Sequence, residues 1–362
     1  MLSRRGLVMA LLAARGSAVA FAASPPVPAG ALAFPRDFGA HPASSIEWWY
    51  LTGALEAAAR TWGFQITFFR AATGIAGADA SAFRAAQLVF AHAAVTDLES
   101  ARLLHDQRIA RSGFGIASAS SDDTALALRD WRLERSAGAG ASRYRVRASS
   151  ETADFRFDLE LEATQALLVQ GVAGLSQKGP NPAQASRYYS EPQLAVRGTL
   201  GIGRSPPVAV TGRAWLDHEW SDSLIDASAI GWDWIGMNLD DGAALTAFRL
   251  RRGDGTTLWA GGSHRPVGAA AVRNFEASEV AFVPGRIWAS PASKAAYPVE
   301  WTIATPIGSF AVKALLDDQE LDSRASTGSI YWEGLSQLFA ANGRKLGRGY
   351  LEMTGYAGRL RI

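Results

Sequence analysis

The stretch Phe155-Arg156-Phe157-Asp158-Leu159-Glu160-Leu161-Glu162 alternates strictly between apolar and charged residues. Successive side chains of a β-strand point to opposite faces, so this pattern buries one face and leaves the other in water. A half-buried strand is typical of an antiparallel sheet, because the strands of a parallel α/β sheet are covered on both faces. The stretch therefore predicts an all-β fold built from antiparallel sheets.

Strands of the same kind recur in both halves of the chain, with tight turns between them. Asp240-Asp241-Gly242 and Asn342-Gly343 each separate two strand-like runs, which predicts hairpins. Glycines and prolines at 198–207 predict a flexible connection. With 362 residues, 48% of them hydrophobic, the chain is long enough for two domains with sizeable cores. We therefore expect two antiparallel β-barrel or β-sandwich domains.

The N-terminus has the pattern of an export signal. Arg4-Arg5 precede an apolar run from Leu7 to Ala14, and small residues suited to cleavage follow. The paired arginines resemble a twin-arginine signal. The Pro-containing segment at 23–34 is typical of a linker. We expect residues 1–22 to be the export signal and the mature protein to be periplasmic or secreted.

Charge and composition exclude several classes of protein. The chain has 36 basic and 34 acidic residues, and the leader contains Arg4, Arg5 and Arg15 but no acid, which leaves 33 basic residues against 34 acidic ones. Nothing therefore indicates a nucleic-acid partner. Cysteine is absent, which excludes disulfides and thiolate chemistry. Phosphate-loop, dinucleotide-binding, zinc-ligand and serine-elbow motifs are also absent, so we expect no cofactor and no metal.

The stretch Trp215-Leu216-Asp217-His218-Glu219-Trp220 combines an imidazole, two carboxylates and two indoles. On a strand, alternate residues face the same way, which groups 216, 218 and 220 on one side and 215, 217 and 219 on the other. His218 could transfer a proton near neutral pH, and the Trp220 ring could stabilise a developing cation. In the alternative interpretation His218 packs in a core, while Asp217 and Glu219 face solvent or a domain contact.

A second aromatic stretch, Glu47-Trp48-Trp49-Tyr50-Leu51, also reads as a strand, with 47, 49 and 51 on one face. Glu47 is either an acid in a pocket or an anchor for buried indole N–H groups. Glu47 and Glu219 would form a glycosidase carboxylate pair if they faced each other across a substrate. Sequence spacing alone leaves these possibilities open.

Seven motifs, in order along residues 41–362, resemble the family of carotenoid 1,2-hydratases (hydroxyneurosporene synthases) and AttH-type lipocalin-like proteins. They are Glu47-Trp48-Trp49-Tyr50, Gln177-Lys178-Gly179, Tyr188-Tyr189-Ser190, Trp215 through Trp220, Gly231-Trp232-Asp233-Trp234, Tyr331-Trp332-Glu333-Gly334 and Gly349 through Tyr356. The resemblance implies two lipocalin-like β-domains with a substrate cavity near their junction. We place the carotenoid-hydratase-like domain at 35–222 and the C-terminal lipocalin-like domain at 223–362.

The resemblance also implies site residues. His218 and Trp220 match the His-x-Trp pair that serves acid–base chemistry in the hydratases, and we add Glu219 and Glu47 as candidate catalytic acids. The hydratases are expected to use a Tyr and an Asp on a following strand, whereas residues 243–248 here contain neither. This departure and the export signal make the chain more similar to the exported AttH-type branch. The candidate substrate-binding residues are Trp49, Tyr188, Tyr189, Trp232 and Trp234.

These observations lead to one functional hypothesis and two alternatives. The hypothesis is an exported protein that binds a lipid, isoprenoid or other hydrophobic small molecule at the domain junction, with hydro-lyase or hydrolase chemistry. The first alternative is a non-catalytic periplasmic lipid carrier that serves an ABC transporter. The resemblance implies this alternative, because members of the exported branch are associated with ABC transport systems. The second is a carbohydrate hydrolase that uses Glu47 and Glu219.

Overall fold

The computed structural model describes residues 30–74, 85–138, 141–223, 226–269 and 271–359. The predicted signal at 1–22 and most of the predicted linker therefore lie outside the described residues. So does most of the loop that small residues predict at 71–82. The described residues form β-strands and two 3₁₀ turns, Arg36–Phe38 and Ala277–Glu279, without an α-helix. The prediction of an all-β fold is confirmed.

The first half of the chain forms a thirteen-stranded antiparallel sheet. Eleven of its strands follow the order β4-β3-β2-β1-β13-β12-β9-β8-β7-β6-β5, and the two short strands β10 and β11 each pair with β12. Its strands are β1 (Ile46–Ala57), β2 (Arg60–Ala72), β3 (Gln87–Asp97), β4 (Arg102–Arg111), β5 (Ala117–Ala119), β6 (Ala125–Leu128), β7 (Trp131–Ala137), β8 (Ser142–Ser150), β9 (Phe155–Glu162), β10 (Leu168–Val169), β11 (Leu175–Gln177), β12 (Ala185–Ile202) and β13 (Val208–Ser223).

This sheet curls into a nearly closed barrel. Its two edge strands, β4 and β5, are consecutive in the chain, and a bridge between Gly113 and Ala117 joins the segment between them. Side chains complete the closure, because Arg108 of β4 lies 4.3 Å above the Trp131 ring and donates to the Ser149 carbonyl. Apolar side chains from every long strand fill the interior. The first barrel therefore has a solid core.

The second half forms a ten-stranded antiparallel sheet with the order β17-β16-β15-β14-β25-β24-β22-β21-β18, to which β23 is added by pairing with β24. Its strands are β14 (Ala229–Leu239), β15 (Ala244–Arg252), β16 (Thr257–Arg265), β17 (Arg273–Phe275), β18 (Ala281–Pro284), β21 (Glu300–Thr305), β22 (Gly308–Ala314), β23 (Glu320–Ser323), β24 (Ser329–Ala340) and β25 (Lys345–Met353). Between them, β19 (Ile287–Ala289) and β20 (Ala296–Pro298) form a small separate ribbon.

The two predicted hairpins of the second half are β14–β15 and β24–β25. The predicted flexible connection at 198–207 is wrong over its first part, because β12 continues to Ile202. Gly198 serves close packing there. Its φ is 154°, and a Cβ on it would lie 2.2 Å from the Asp158 carbonyl of β9. The glycine therefore permits two strands to approach and does not mark a flexible connection.

The chain passes from the first sheet to the second between Ser223 and Ala229, and the two sheets pack against each other. A mixed cluster that contains Tyr50 and Trp215 from the first sheet and Trp234 and Tyr350 from the second is buried between them. Direct hydrogen bonds cross the contact, such as Gln65 Nε2 to Glu333 Oε2 at 2.9 Å. No helix within the described residues is long and apolar enough to cross a membrane.

Close approach of the sheets depends on Gly63 in β2. A Cβ at this position would lie 2.6 Å from the Tyr350 hydroxyl and 3.1 Å from the Leu335 Cβ, both in the second sheet. We therefore expect Gly63→Ala to lower the free energy of unfolding by about 1–3 kcal/mol through overpacking, measured by urea denaturation.

A control distinguishes overpacking from the general effect of adding a methyl group. Gly253 lies in a turn, and a Cβ on it would have no neighbouring atom closer than 3.9 Å. Gly253→Ala should leave stability unchanged or slightly higher. If both variants lost the same stability, the close approach at Gly63 would not be the cause.

Candidate functional site

The site is organised by the pairing of β1 with β13. Trp49 lies opposite His218, and Tyr50 lies opposite Asp217. Because side chains alternate along each strand, one face of this pair enters the core of the first barrel and the other faces the second sheet. The face assignments predicted for both aromatic stretches are therefore confirmed, and they divide the candidate residues into two groups.

The barrel face contains a buried network around Glu47. Its Oε1 lies 2.8 Å from the His218 Nε2 and 2.8 Å from the His41 Nδ1. Its Oε2 accepts hydrogen bonds from the Arg70 Nε at 2.7 Å and the His41 backbone N–H at 2.9 Å. The side chains of Glu47 and His218 have no exposed surface. Glu47, on β1, thus links the segment that precedes β1 to β2 through Arg70 and to β13 through His218.

Aromatic rings enclose this network. His218 stacks on Trp49 with ring centroids 4.4 Å apart, and its Nδ1 lies 3.1 Å from the Tyr189 hydroxyl. His41 stacks on Trp220 at 3.7 Å. The interpretation of Glu47 as an anchor for indole N–H groups is wrong, since its partners are histidines and arginine. The Trp49 indole N–H itself has no hydrogen-bond partner among the described residues.

Electrostatics keep Glu47 charged and His218 neutral. Burial alone would raise the pKa of Glu47, but hydrogen bonds from His218 and His41 outweigh it and the pKa is lowered. Burial lowers the pKa of His218, against its hydrogen bond with Glu47. A catalytic role for His218, Trp220 and Glu47 stays a prediction. For such a role, a reactant would have to reach a ring that has no exposed surface.

His41, Glu47 and His218 could also hold a metal ion, because their ligand atoms lie within 4.8 Å of one another. Two imidazoles and a carboxylate are a common donor set. However, the Arg70 guanidinium is bonded to the same carboxylate, and its positive charge would oppose a cation. The four side chains already form a complete hydrogen-bond network without an ion, which is the simpler account of the cluster.

The opposite face of β1 and β13 lines a cavity of about 340 Å³ between the two sheets. Its wall is mainly apolar and aromatic, with a few polar groups, as in small-molecule sites. The first sheet contributes Trp48, Tyr50, Phe69, Phe90, His92, Lys178, Asp217 and Glu219, and the second contributes Trp232, Trp234, Phe248, Tyr331, Glu333 and Glu352, among others.

Asp217 is the most heavily hydrogen-bonded acid of the cavity wall. Its Oδ1 accepts from the Ser190 hydroxyl at 2.5 Å and the Trp215 Nε1 at 2.7 Å. Its Oδ2 accepts from the Tyr188 hydroxyl at 2.7 Å. Burial raises the pKa of Asp217 to about 7, although these hydrogen bonds lower it. Asp217 can therefore exchange a proton near neutral pH.

Glu219 lies two residues further along the same face and has a different environment. Its Oε1 is 2.9 Å from the Lys178 Nζ and also accepts a hydrogen bond from Ser186. Lys178 in turn lies over the rings of Tyr188 and Phe248, at 4.7 and 4.4 Å. The ion pair is largely buried, because the side chains of Lys178 and Glu219 are 9% and 7% exposed. The cavity wall thus has two neighbouring acids: Glu219, which forms an ion pair with Lys178, and Asp217, whose pKa is about 7.

The family of the chain follows from comparison with known proteins. The sequence profile described as AttH-like matches residues 25–356. The chain belongs to the AttH-like family. A crystal structure of a protein assigned to AttH from Nitrosomonas europaea shares 44% sequence identity, covers 92% of this AttH-like chain and 99% of its own, and superposes with a TM-score of 0.83.

More distant structures share the fold of this AttH-like chain. Kievitone hydratase from Nectria haematococca has 15% identity and a TM-score of 0.67, with 91% of this chain and 94% of the hydratase covered. CghA in complex with Sch210972 has 10% identity and a TM-score of 0.51, over 88% of this chain and 90% of CghA. None of the curated proteins matches the chain in sequence.

The structure places the predicted site residues of the AttH-like chain in two separate environments. Glu219, Trp232 and Trp234 line the cavity. The predicted residues that lie in the core of the first barrel are Glu47, Trp49, Tyr189, His218 and Trp220. Tyr188 lies behind the wall, bonded to Asp217. Glu47 and Glu219 project from opposite faces of one sheet, so they do not form the carboxylate pair that a glycosidase needs.

Sequence reasoning did not select Asp217, Lys178, Glu333 and Glu352 as site residues, although each lies in one of the quoted family motifs. Strand alternation assigns Asp217 to the correct face, but it does not reveal the side chains that form hydrogen bonds with Asp217. Glu333 and Glu352 are opposite each other on β24 and β25, and both line the cavity. Their alternating strand pattern is the signal that could have placed both on one face.

The buried network generates a stability prediction. In a Glu47→Gln variant the nearly buried Arg70, whose side chain is 3% exposed, loses its counter-charge. We expect a loss of about 3–5 kcal/mol in the free energy of unfolding, as for other broken buried ion pairs. Because the pKa of Glu47 is lowered on folding, its ionic contribution is present above the unfolded-state value of about 4.3 and is lost as pH falls below it. Urea denaturation between pH 7 and 3 measures both effects.

Glu56→Gln is the matched control. Glu56 is on the same strand, but it is exposed and its partner is Arg348 at the surface, with a nitrogen–oxygen distance of 2.6 Å. We expect a change of about 0–1 kcal/mol, as for exposed ion pairs. Equal losses in the two variants would show that the buried network has no special importance for stability.

Proposed function

We propose that this AttH-like protein binds a largely apolar molecule in the cavity between its sheets and adds water to it, or removes water from it, by acid–base catalysis. The observation that carries the proposal is the pair of buried acids, Asp217 and Glu219, on one wall of an aromatic cavity. We further propose that it acts after export, as its N-terminal sequence predicts.

The two acids are suited to complementary roles. Asp217 has a pKa of about 7, so it can hold a proton and still give it up. It donates that proton to one carbon of a C=C bond, which leaves a carbocation on the other carbon. Glu219, which is paired with Lys178 at 2.9 Å, accepts a proton from the water whose oxygen bonds to the cation. The Cα atoms of residues at alternate positions of a strand are roughly 7 Å apart. This spacing leaves room for that water between the two carboxyls.

The surroundings supply the remaining requirements. Trp232, Trp234 and Tyr50 line the same cavity, and their π-faces can stabilise a developing positive charge. The Tyr188 hydroxyl, which lies behind the wall on β12, donates a hydrogen bond to Asp217 of β13 and supports its carboxyl at the cavity. Kievitone hydratase, by its name a hydration enzyme, has the same fold, and this likeness supports the proposed reaction class.

The barrel network has a positioning role in this proposal. His218 lies between Asp217 and Glu219 in the chain and points the other way, into its hydrogen bonds with Glu47 and Tyr189. These bonds hold β13 in register, and a one-residue slip would exchange its two faces. His218→Ala should therefore reduce stability and activity together, whereas substitution of Asp217, which leaves no buried cation unpaired, should reduce activity far more than stability.

The first test identifies the ligand and its chemistry. The protein is purified from the exported fraction, analysed by native mass spectrometry and extracted with organic solvent. A ligand that is released is returned to the protein in H₂¹⁸O. We expect ¹⁸O to enter its hydroxyl group, because reversible hydration exchanges that oxygen with solvent. A bound apolar ligand without exchange would contradict catalysis and would favour the carrier that serves an ABC transporter.

Variants of the two acids test their roles. We expect Asp217→Asn and Glu219→Gln each to lower the rate of ¹⁸O exchange by about 10²–10⁴-fold while ligand is still co-purified. Asp240→Asn is the control, because Asp240 is exposed at a hairpin turn, and it should exchange at the parent rate. Parent-like exchange in both cavity variants would overturn the assignment of the acids.

The pH dependence follows from the role of Asp217 as acid. Its carboxyl must hold a proton to act, and its pKa is about 7. The exchange rate should therefore be constant below about pH 6 and fall about tenfold per pH unit well above pH 7. A rate that rises through this range would show that Asp217 acts as a base and not as the proton donor.

A further inference from the structure

Two carboxyl groups of the second sheet face each other at the far wall of the cavity. Glu333 of β24 and Glu352 of β25 are directly opposite in the strand register, and both line the cavity. Like charges at directly opposite positions of neighbouring strands are destabilising. The proposed reaction does not use this pair, so its presence in a buried wall requires a separate explanation.

No cationic side chain within the described ranges forms a salt bridge with either acid, although Lys178 lies in the same cavity and pairs with Glu219. A buried carboxyl without a counter-charge either keeps its proton or receives a cation from outside the protein. Glu333 is 3% exposed, so bulk water cannot serve in place of that cation. The pair is therefore either protonated or bound to a cation that enters from the cavity.

Three polar atoms at this wall also lack hydrogen-bond partners in the part of the chain that the structure describes. They are the Tyr50 hydroxyl, the Oε1 of Glu333 and the Oε1 of Gln65. Gln65 belongs to the same cluster, because its Nε2 donates to the Glu333 Oε2 at 2.9 Å. The Tyr50 and Tyr331 hydroxyls can donate to the Glu333 carboxyl and lower its pKa, but they bring no positive charge. A donor that is also a cation would satisfy the atoms that remain unpaired, and such atoms are rare in buried walls.

We propose that this wall binds the primary ammonium group of an amphiphilic amine whose apolar body occupies the rest of the cavity. A primary ammonium supplies the positive charge that the carboxyl pair lacks, together with N–H donors for the acceptors around it. The aromatic rings of Tyr50, Trp232 and Tyr331 line the same wall and favour a cation over a neutral group. This inference rests on the proposed function, because it names the substrate class of the same cavity.

The protonation of this wall agrees with the assignment. Burial raises the pKa of Glu333 well above its usual value, and it raises the pKa of Glu352 to about 7, against the Trp232 indole, which lowers it. An ammonium ion would favour the ionised form of the pair, so binding should release protons. The other titratable groups around the pair are Tyr50, His92, Lys178, Asp217, Glu219, Asp233, Tyr331 and Tyr350.

The test compares amphiphiles of one chain length on the full-length protein after organic extraction. Dodecylamine, 1-dodecanol, dodecyltrimethylammonium and dodecyl sulfate compete, below their aggregation concentrations, with the fluorescent apolar probe N-phenyl-1-naphthylamine. We expect dodecylamine to bind at least tenfold more tightly than 1-dodecanol, and dodecyl sulfate to bind most weakly. Dodecyltrimethylammonium should bind less tightly than dodecylamine, because it has the charge but no N–H donor.

Variants of the wall attribute the preference to these residues. The isosteric double variant Glu333→Gln/Glu352→Gln should lose the tenfold preference for dodecylamine and retain probe binding. Tyr50→Phe removes one hydroxyl of this wall and little volume. It should lose part of the preference, and it provides a second test if the double variant does not fold. Glu151→Gln is the control, because Glu151 is exposed, and it should keep the full preference.

The possible outcomes separate this inference from the proposed function. If the probe binds but dodecylamine and 1-dodecanol compete equally, the ammonium site is wrong and the apolar cavity stands. If the probe does not bind and native protein releases no ligand, the proposed function is wrong as well. If Ca²⁺ or Mg²⁺ alone stabilises the protein in thermal melts and the double variant abolishes that effect, the wall is a metal site and the inference is overturned.

Discussion

A buried acid paired with an arginine on the neighbouring strand stands near the start of each sheet. Glu47 of β1 is directly opposite Arg70 of β2, with 2.7 Å between carboxylate and guanidinium. Asp233 of β14 is directly opposite Arg249 of β15, also at 2.7 Å. Breaking such a pair leaves a buried charge unpaired, which is far more costly than losing an exposed one. Each pair therefore opposes any slip of its two strands.

The register that these pairs hold determines what the cavity contains. Strand side chains alternate, so the residues on either side of each buried acid point to the other face. The neighbours of Asp233 are Trp232 and Trp234, and the neighbour of Glu47 is Trp48; all three line the cavity. The same alternation on β13 turns His218 into the barrel and its neighbours Asp217 and Glu219 towards the second sheet. The core network and the cavity wall are thus two faces of the same strands.

Much of this arrangement can be predicted from sequence, and the limit is identifiable. Alternation at Phe155–Glu162 predicts antiparallel sheets, and alternation at Trp215–Trp220 predicts which of its residues share a face. It does not show which face meets the cavity, because apolar residues occur on both. Glu333 and Glu352 approach the first sheet only through contacts between residues far apart in the chain, such as Gln65 with Glu333. The glycine at 198 suggests a flexible connection from sequence alone, because close strand packing and flexibility both select glycine.

The partners of the buried acids differ between the barrel cores and the cavity. In the cores, Glu47 and Asp233 are each paired with arginine, and Glu191 accepts a hydrogen bond from the Tyr144 hydroxyl. Of the acids that face the cavity, only Glu219 has a cationic partner among the described residues, and that partner is a lysine. The fold therefore supplies each of these core carboxyls with a partner from the protein itself. Unpaired acids in the cavity reduce stability. This loss is explained if their partners are protons and ligands that bind and dissociate during function.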